Sequence, residues 1–137
     1  MRVKPTTEPK LLPMKVLITD DSKVTRSVLR KIMQELSFEV VEATNGAEAI
    51  GMLTRDLVDL CLVDWNMPTM NGVEFITHLR ANPTWSKIPA VLVTDETARE
   101  RLDSAFAAGA SGYLAKPFKT EELRLLLLEL GLDIGLQ

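Results

Sequence analysis

Met14-Lys-Val-Leu-Ile-Thr-Asp20 and Asp59-Leu-Cys-Leu-Val-Asp64 share one plan: a short, largely apolar run closed by an acid. Runs of this length, apolar at consecutive positions, suit strands of a parallel sheet that is covered on both faces. Between the two runs, Asp21-Ser22 can cap a helix, and Val24, Val28, Leu29, Ile32, Met33 and Leu36 then recur at helical spacing. Phe38–Ala43 reads as a second strand closed by the turn pair Asn45-Gly46, followed by a short helix carrying Ala47, Ala49, Ile50 and Leu53. Beyond Asp64 the alternation continues. Gly72–Ala81 is a helix with Val73, Phe75, Ile76 and Leu79 inward, and Ala90–Thr94 is a strand. Thr97–Ala108 is a helix stopped by Gly109, Ser111–Ala115 a strand, and Thr120–Leu130 a helix stopped by Gly131. Five strands alternating with five helices predict a doubly wound α/β sandwich with a parallel sheet, no internal repeat and no second domain.

Composition narrows the function. A chain of 137 residues, 46% hydrophobic and 26% charged, suits one globular core. Sixteen basic against nineteen acidic residues, a formal charge of -3, argue against broad binding of nucleic acid or of an anionic membrane. The single Cys61 excludes an internal disulfide and a cysteine-rich zinc site, and its mid-strand position makes it a buried small hydrophobe in a reducing cytoplasm. No apolar run approaches the roughly 18 residues of a membrane span, and the N-terminus lacks the apolar segment of a secretory signal. Residues 1–13, with Pro5, Pro9 and Pro13, read as a flexible arm before a domain at 14–137. The chain stops about six residues after the fifth helix, so the expectation is a cytoplasmic single-domain protein without an output domain.

In an open α/β sheet, ligands bind beyond the carboxyl ends of the strands, where strand order reverses. The first strand delivers Asp20 and Asp21 there, the third Asp64, the fourth Thr94 and Asp95, and the fifth Lys116. Carboxylates gathered without a cation repel one another. An oxygen-only ligand set suits a hard ion such as Mg²⁺, which takes one or two carboxylates plus water and phosphate. Lys116 and Thr94 supply donors for phosphate oxygens. The constellation points to a phosphoryl group on magnesium. Simpler readings stand beside this one: Asp20 and Asp21 as helix caps, Asp64 as a turn residue, Lys116 as a solvated lysine, Tyr113 as a half-buried strand residue. His78 has no companion at metal-ligand spacing and reads as a surface or boundary histidine.

Asp20-Asp21, Asp64-Trp-Asn-Met-Pro68, Thr94 and Gly112-Tyr-Leu-Ala-Lys-Pro-Phe118 together, in this order and spacing, resemble the receiver domain of two-component response regulators, single-domain chemotaxis regulators above all. The resemblance runs from about Met14 to Leu130. It implies the flavodoxin-like fold with strand order 2-1-3-4-5. It further implies that Asp64 accepts the phosphoryl group, that Asp21, Asp64 and the backbone carbonyl of Asn66 bind Mg²⁺, and that Asp20 acts through a water or holds the cluster. Lys116 would contact the acyl phosphate next to a cis bond to Pro117, and Thr94 and Tyr113 would form the switch pair. The phosphoryl group would come from a sensor histidine kinase or a phosphotransfer protein, and output would be a changed protein contact, or onward relay of the phosphate, rather than catalysis. Rival classes fit less well. A haloacid-dehalogenase-type phosphatase needs an acid where Asn66 stands, and a flavin binder needs a phosphate loop where Asp20-Asp21 would repel it. A degenerate receiver serving only as an interaction module is the alternative function.

Three further expectations are local. Trp65, beside Asp64, is expected partly exposed and able to report metal binding by fluorescence. Leu123, Leu126, Leu127 and Leu130 should cover the sheet, leaving Leu125, Leu128 and Leu132 to widen the stripe, either as a broad core contact or slightly oily surface or as a dimer or partner surface with strand five. Asp95, followed by Glu96, occupies a position that is usually alanine or glycine in the family; it either charges the entrance to the site or caps the fourth helix.

Overall fold

A computed structural model describes residues 13–95 and 99–134. The elements run β1 (Lys15–Thr19), α1 (Lys23–Glu35), β2 (Glu39–Ala43), α2 (Gly46–Arg55), β3 (Leu60–Val63), α3 (Gly72–Ala81), β4 (Ala90–Thr94), α4 (Arg99–Ala108), β5 (Gly112–Ala115) and α5 (Thr120–Glu129). All strand pairs are parallel, in the order β2-β1-β3-β4-β5, the flavodoxin-like arrangement. Order therefore reverses at β1, and the crevice between β1 and β3 is where such sheets bind ligands.

Alternation along the strands sends successive side chains to opposite faces, and each face has its own core. Leu17, Cys61, Val63 and Leu92 pack with Leu53 of α2, Phe75, Ile76 and Leu79 of α3 and Ala105 of α4. Val16, Ile18, Leu60, Leu62, Val91 and Val93 pack with Leu29, Ile32 and Met33 of α1 and Leu123 and Leu127 of α5. Each such leucine or isoleucine, fully buried, contributes about 1.5–3 kcal/mol. Cys61 is buried, as its position predicts, and burial pushes its thiol up to about 12.

Helix rotation differs from expectation in α1. Val24 and Val28 are 74% and 48% exposed, because the sheet takes the stripe Leu29, Ile32, Met33 and, in part, Leu36. At 3.6 residues per turn, Val28 and Val24 stand roughly 90° and 130° away from that stripe's centre. At the predicted Asn45-Gly46 turn, Asn45 also caps α2: its Oδ1 accepts from Glu48 N at 2.8 Å. On α5, Leu126 and Leu130 are only partly buried; Leu128 and Leu132 pack against the core, so Leu125, 50% exposed, is the outward member of the proposed stripe. Past α5 the chain turns back, Leu132 N bonding to Leu127 O at 3.1 Å, and Ile134 is buried beside the same core. The expected arm, apart from exposed Pro13, and the first residues of the fourth helix lie outside the described residues. No helix among the described residues is long and apolar enough to cross a membrane.

Candidate functional site

The parallel ladder runs one residue past the ends of three strands. Asp20 N bonds to Ala43 O at 3.1 Å, Asp64 N to Thr19 O at 2.9 Å, and Lys116 N to Thr94 O at 2.9 Å. These bonds place Asp20, Asp64 and Lys116 on one edge, with Thr94, the last residue of β4, fully buried beneath it. Asp20, Asp21 and Asp64 each offer a carboxylate oxygen within 4.8 Å of the others.

Asp20 is 1% exposed and has both oxygens partnered: Oδ1 accepts from Ser22 N at 2.8 Å, Oδ2 from Lys116 Nζ at 3.0 Å. Lys116 Nζ also lies 3.5 Å from Asp64 Oδ1. Asp21 is the exposed member of the cluster. Burial raises the Asp64 carboxyl above its ordinary range and the charge of Asp20 raises it further, against Lys116 and the backbone N–H groups of Trp65 and Asn66. Burial alone would lower the Lys116 ammonium, but its bond to Asp20 and the fields of both carboxylates outweigh that and hold it above its usual value. Three carboxylates against one ammonium leave an excess of negative charge. With only oxygen donors, the cluster fits a hard divalent cation.

The loop from Asp64 to Asn71 is shaped by the start of α3. Asn71 Oδ1 accepts from Glu74 N at 2.8 Å and Glu74 Oε1 from Asn71 N at 2.9 Å, a reciprocal cap. Gly72 N bonds to Trp65 O at 2.9 Å, and a Cβ at Gly72 would stand 2.4 Å from the Asp64 carbonyl oxygen. Only glycine lets the helix lie this close behind the acid. Sequence reading used Gly72 as a helix start and missed this close approach; its one local trace is an Asn-Gly pair directly before the apolar stripe.

Of the predicted site residues, the structure brings Asp20, Asp21, Asp64 and Lys116 into one cluster and puts Thr94 on the same edge. Asn66 is exposed two residues beyond Asp64. Tyr113 is half-buried on β5, in register with Leu92, and packs against the α2–α4 core. The Lys116-Pro117 bond is cis. His78 is exposed. Trp65 corrects the expectation: it is 7% exposed, a core residue, because the loop folds back under α3 instead of standing open. Asp95 is exposed just beyond Thr94, and the described part of α4 begins at Arg99.

Residues 16–128 match the response regulator receiver domain family. The chemotaxis protein CheY-3 of Vibrio cholerae is 35% identical over 112 residues, covering 81% of this chain and 86% of that protein. The chemotaxis protein CheY of Pseudomonas aeruginosa is also 35% identical, over 81% of this chain and 90% of its own. Among solved structures, Vibrio cholerae CheY4 superposes with a TM-score of 0.81 at 34% identity, covering 85% of this chain and 98% of that one. The receiver domain of a Pseudomonas aeruginosa sensor histidine kinase, solved with magnesium coordinated in its active-site cleft, gives 0.79 at 26% identity, over 88% and 99% of the two chains. This chain belongs to the response regulator receiver family, the signalling domains of two-component systems. Within it, the chain is CheY-like in sequence and in fold.

Proposed function

We propose that this receiver accepts a phosphoryl group on Asp64, from a phosphohistidine of a sensor kinase or phosphotransfer protein, in a magnesium-dependent reaction. The observation that carries the reading is the Asp64 carboxylate, held 3.5 Å from Lys116 Nζ inside a cluster of three acids at the switch-point edge. A carboxylate oxygen of Asp64 attacks phosphorus, the P–N bond breaks, and its electron pair leaves with the imidazole. Asp21, Asp64 and the Asn66 carbonyl would hold magnesium, which when bound would supply positive charge to the phosphoryl oxygens. Asp20, already bonded to Lys116 and Ser22, keeps the ammonium over the acceptor and acts on the cation through water. Once Asp64 carries the acyl phosphate, Lys116 donates to a phosphoryl oxygen, the Thr94 hydroxyl follows, and Tyr113 moves inward behind it. The domain thereby assists its own phosphotransfer and dephosphorylation. The chemotaxis relatives support output through a protein partner in the cytoplasm, with the β5/α5 face around Leu125 as the surface that changes.

Acetyl phosphate with Mg²⁺ tests this directly. Intact mass should rise by one phosphoryl group in the wild type and not in Asp64→Asn, while Asp21→Ala should lose its magnesium titration. Phosphate uptake by folded Asp64→Asn at wild-type stoichiometry would overturn the acceptor assignment. A wild type that takes up none would be an interaction module instead.

A further inference from the structure

Arg26 lies one turn into α1, its N–H bonded to Ser22 O at 3.0 Å, and its side chain reaches back over the loop that carries the acids. Nη1 donates to the backbone carbonyl of Asp20 at 2.8 Å, and Nε donates to Glu42 Oε1 on β2 at 3.1 Å. Glu42 Oε2 also accepts from Arg30 Nη1. The Arg26 side chain is 14% exposed. The Asp20 peptide groups are thus held on both sides, the N–H by Ala43 O and the carbonyl by Arg26.

That carbonyl lies in the same plane as the nitrogen and Cα of Asp21, because the peptide bond is planar. Whatever orients it orients Asp21. We propose that Arg26 is a positioning residue: anchored on Glu42, it sets the Asp20–Asp21 peptide plane and so aims the Asp21 carboxylate at the cation site. The proposal rests on the magnesium reading above and adds a residue that touches neither the ion nor the phosphoryl group. Outer partners that orient ligands typically change metal affinity about 10–100-fold when removed.

Charge and positioning predict opposite signs, which makes the idea decidable. A guanidinium beside a cation site repels a divalent ion, so deleting it should tighten magnesium binding if charge were all it contributed. Positioning predicts weaker binding. Lysine keeps the charge but cannot hold a carbonyl and a carboxylate with one planar fork, so Arg26→Lys should lie between wild type and Arg26→Ala. Glu42→Gln, which keeps an acceptor for Nε, should weaken binding least.

The experiment is a Mg²⁺ titration of the full chain at fixed ionic strength, by tryptophan fluorescence and calorimetry. Amide hydrogen exchange and thermal unfolding in chelator accompany it. Arg26→Ala should raise the Mg²⁺ Kd about tenfold, speed exchange at Asp21 and Ser22 in the metal-free protein, and reach wild-type phosphorylation at saturating Mg²⁺. An unchanged or tighter Kd in folded Arg26→Ala overturns the proposal, as does an affinity loss with exchange raised uniformly across the fold. Should Arg26→Ala not fold, Arg26→Lys decides by the same criterion. A wild type that binds no Mg²⁺ would instead overturn the reading of the site itself.

Discussion

At the amino ends of the strands Lys15 meets acids on neighbouring segments, whereas at the carboxyl ends Lys116 lies against Asp20 and Asp64 within a cluster of three aspartates. Lys15 Nζ lies 3.1 Å from Asp56 and 3.9 Å from Glu39, and its backbone N–H donates to Asp59 at 2.8 Å. On the same side, Arg80 donates to the carbonyls of Ser86, Ile88 and Gly109 and to Ser111 Oγ, tying α3 to the turns before β4 and β5. Gly109, at φ +114, gives that guanidinium room, since a Cβ there would stand 2.6 Å from Arg80 Cγ. At the carboxyl edge the accounts differ. Asp64 is buried beside a second carboxylate, and the buried Thr19 hydroxyl next to Asp20 has no hydrogen-bond partner. One end pairs its charged groups and ties the fold together; the other keeps an excess of negative charge that a bound cation would balance.

The strongest way to break this contrast is Asp64→Asn. Phosphorylation should vanish, yet the metal-free protein should become more stable by about 1 kcal/mol, a usual size for strain released at a functional site. The sign follows from the raised pKa. Folding favours the protonated acid, so that contribution is present at low pH and is lost as pH rises through the elevated value. The gap between wild type and variant in chelator should therefore widen from acid to neutral pH; a variant less stable at neutral pH would refute it.

Arg80→Ala probes the opposite end. Removing a charged donor from buried carbonyls should cost about 2–3 kcal/mol in denaturant unfolding, with Mg²⁺ affinity unchanged. A large loss of Mg²⁺ affinity in the folded variant would mean that the two ends are coupled. Asp95→Ala sharpens the carboxyl end. Two like charges about 4 Å apart repel by roughly 1 kcal/mol in water, several-fold in rate. The variant should thus react faster with acetyl phosphate at low salt, and the advantage should shrink as salt rises. Equal rates at low salt would remove any role for Asp95 at the entrance. The smallest effect on stability belongs to Leu125→Lys, within about 0.5 kcal/mol because the side chain is half exposed. Weakened self-association or partner capture would place the output surface there; unchanged sedimentation and binding would put it elsewhere. Leu128 is unsuitable for this test, since it packs against the core.

All ten elements were legible in the residues, and α3 and β4 carry the bounds that the pattern predicts. Periodicity and caps act over a few neighbours, so they survive in a one-dimensional text. The gathering of the candidate site residues was legible for the same reason: acids and a lysine directly follow apolar runs, and parallel strands must bring their ends to one edge. Tertiary structure decided what no short window contains. Val24 and Val28 share the spacing of Leu29 and Ile32, and only the sheet's position selects which stripe is buried. Trp65 is covered because its loop returns beneath α3, and Ile134 because the tail folds back onto α5. The contacts of Asp20 with Lys116, and of Arg26 with Glu42, join residues 96 and 16 positions apart. Residue types and their places at strand ends are local properties that sequence determines alone. Which oxygen meets which cation depends on packing summed over the whole sheet, and that only the folded chain decides.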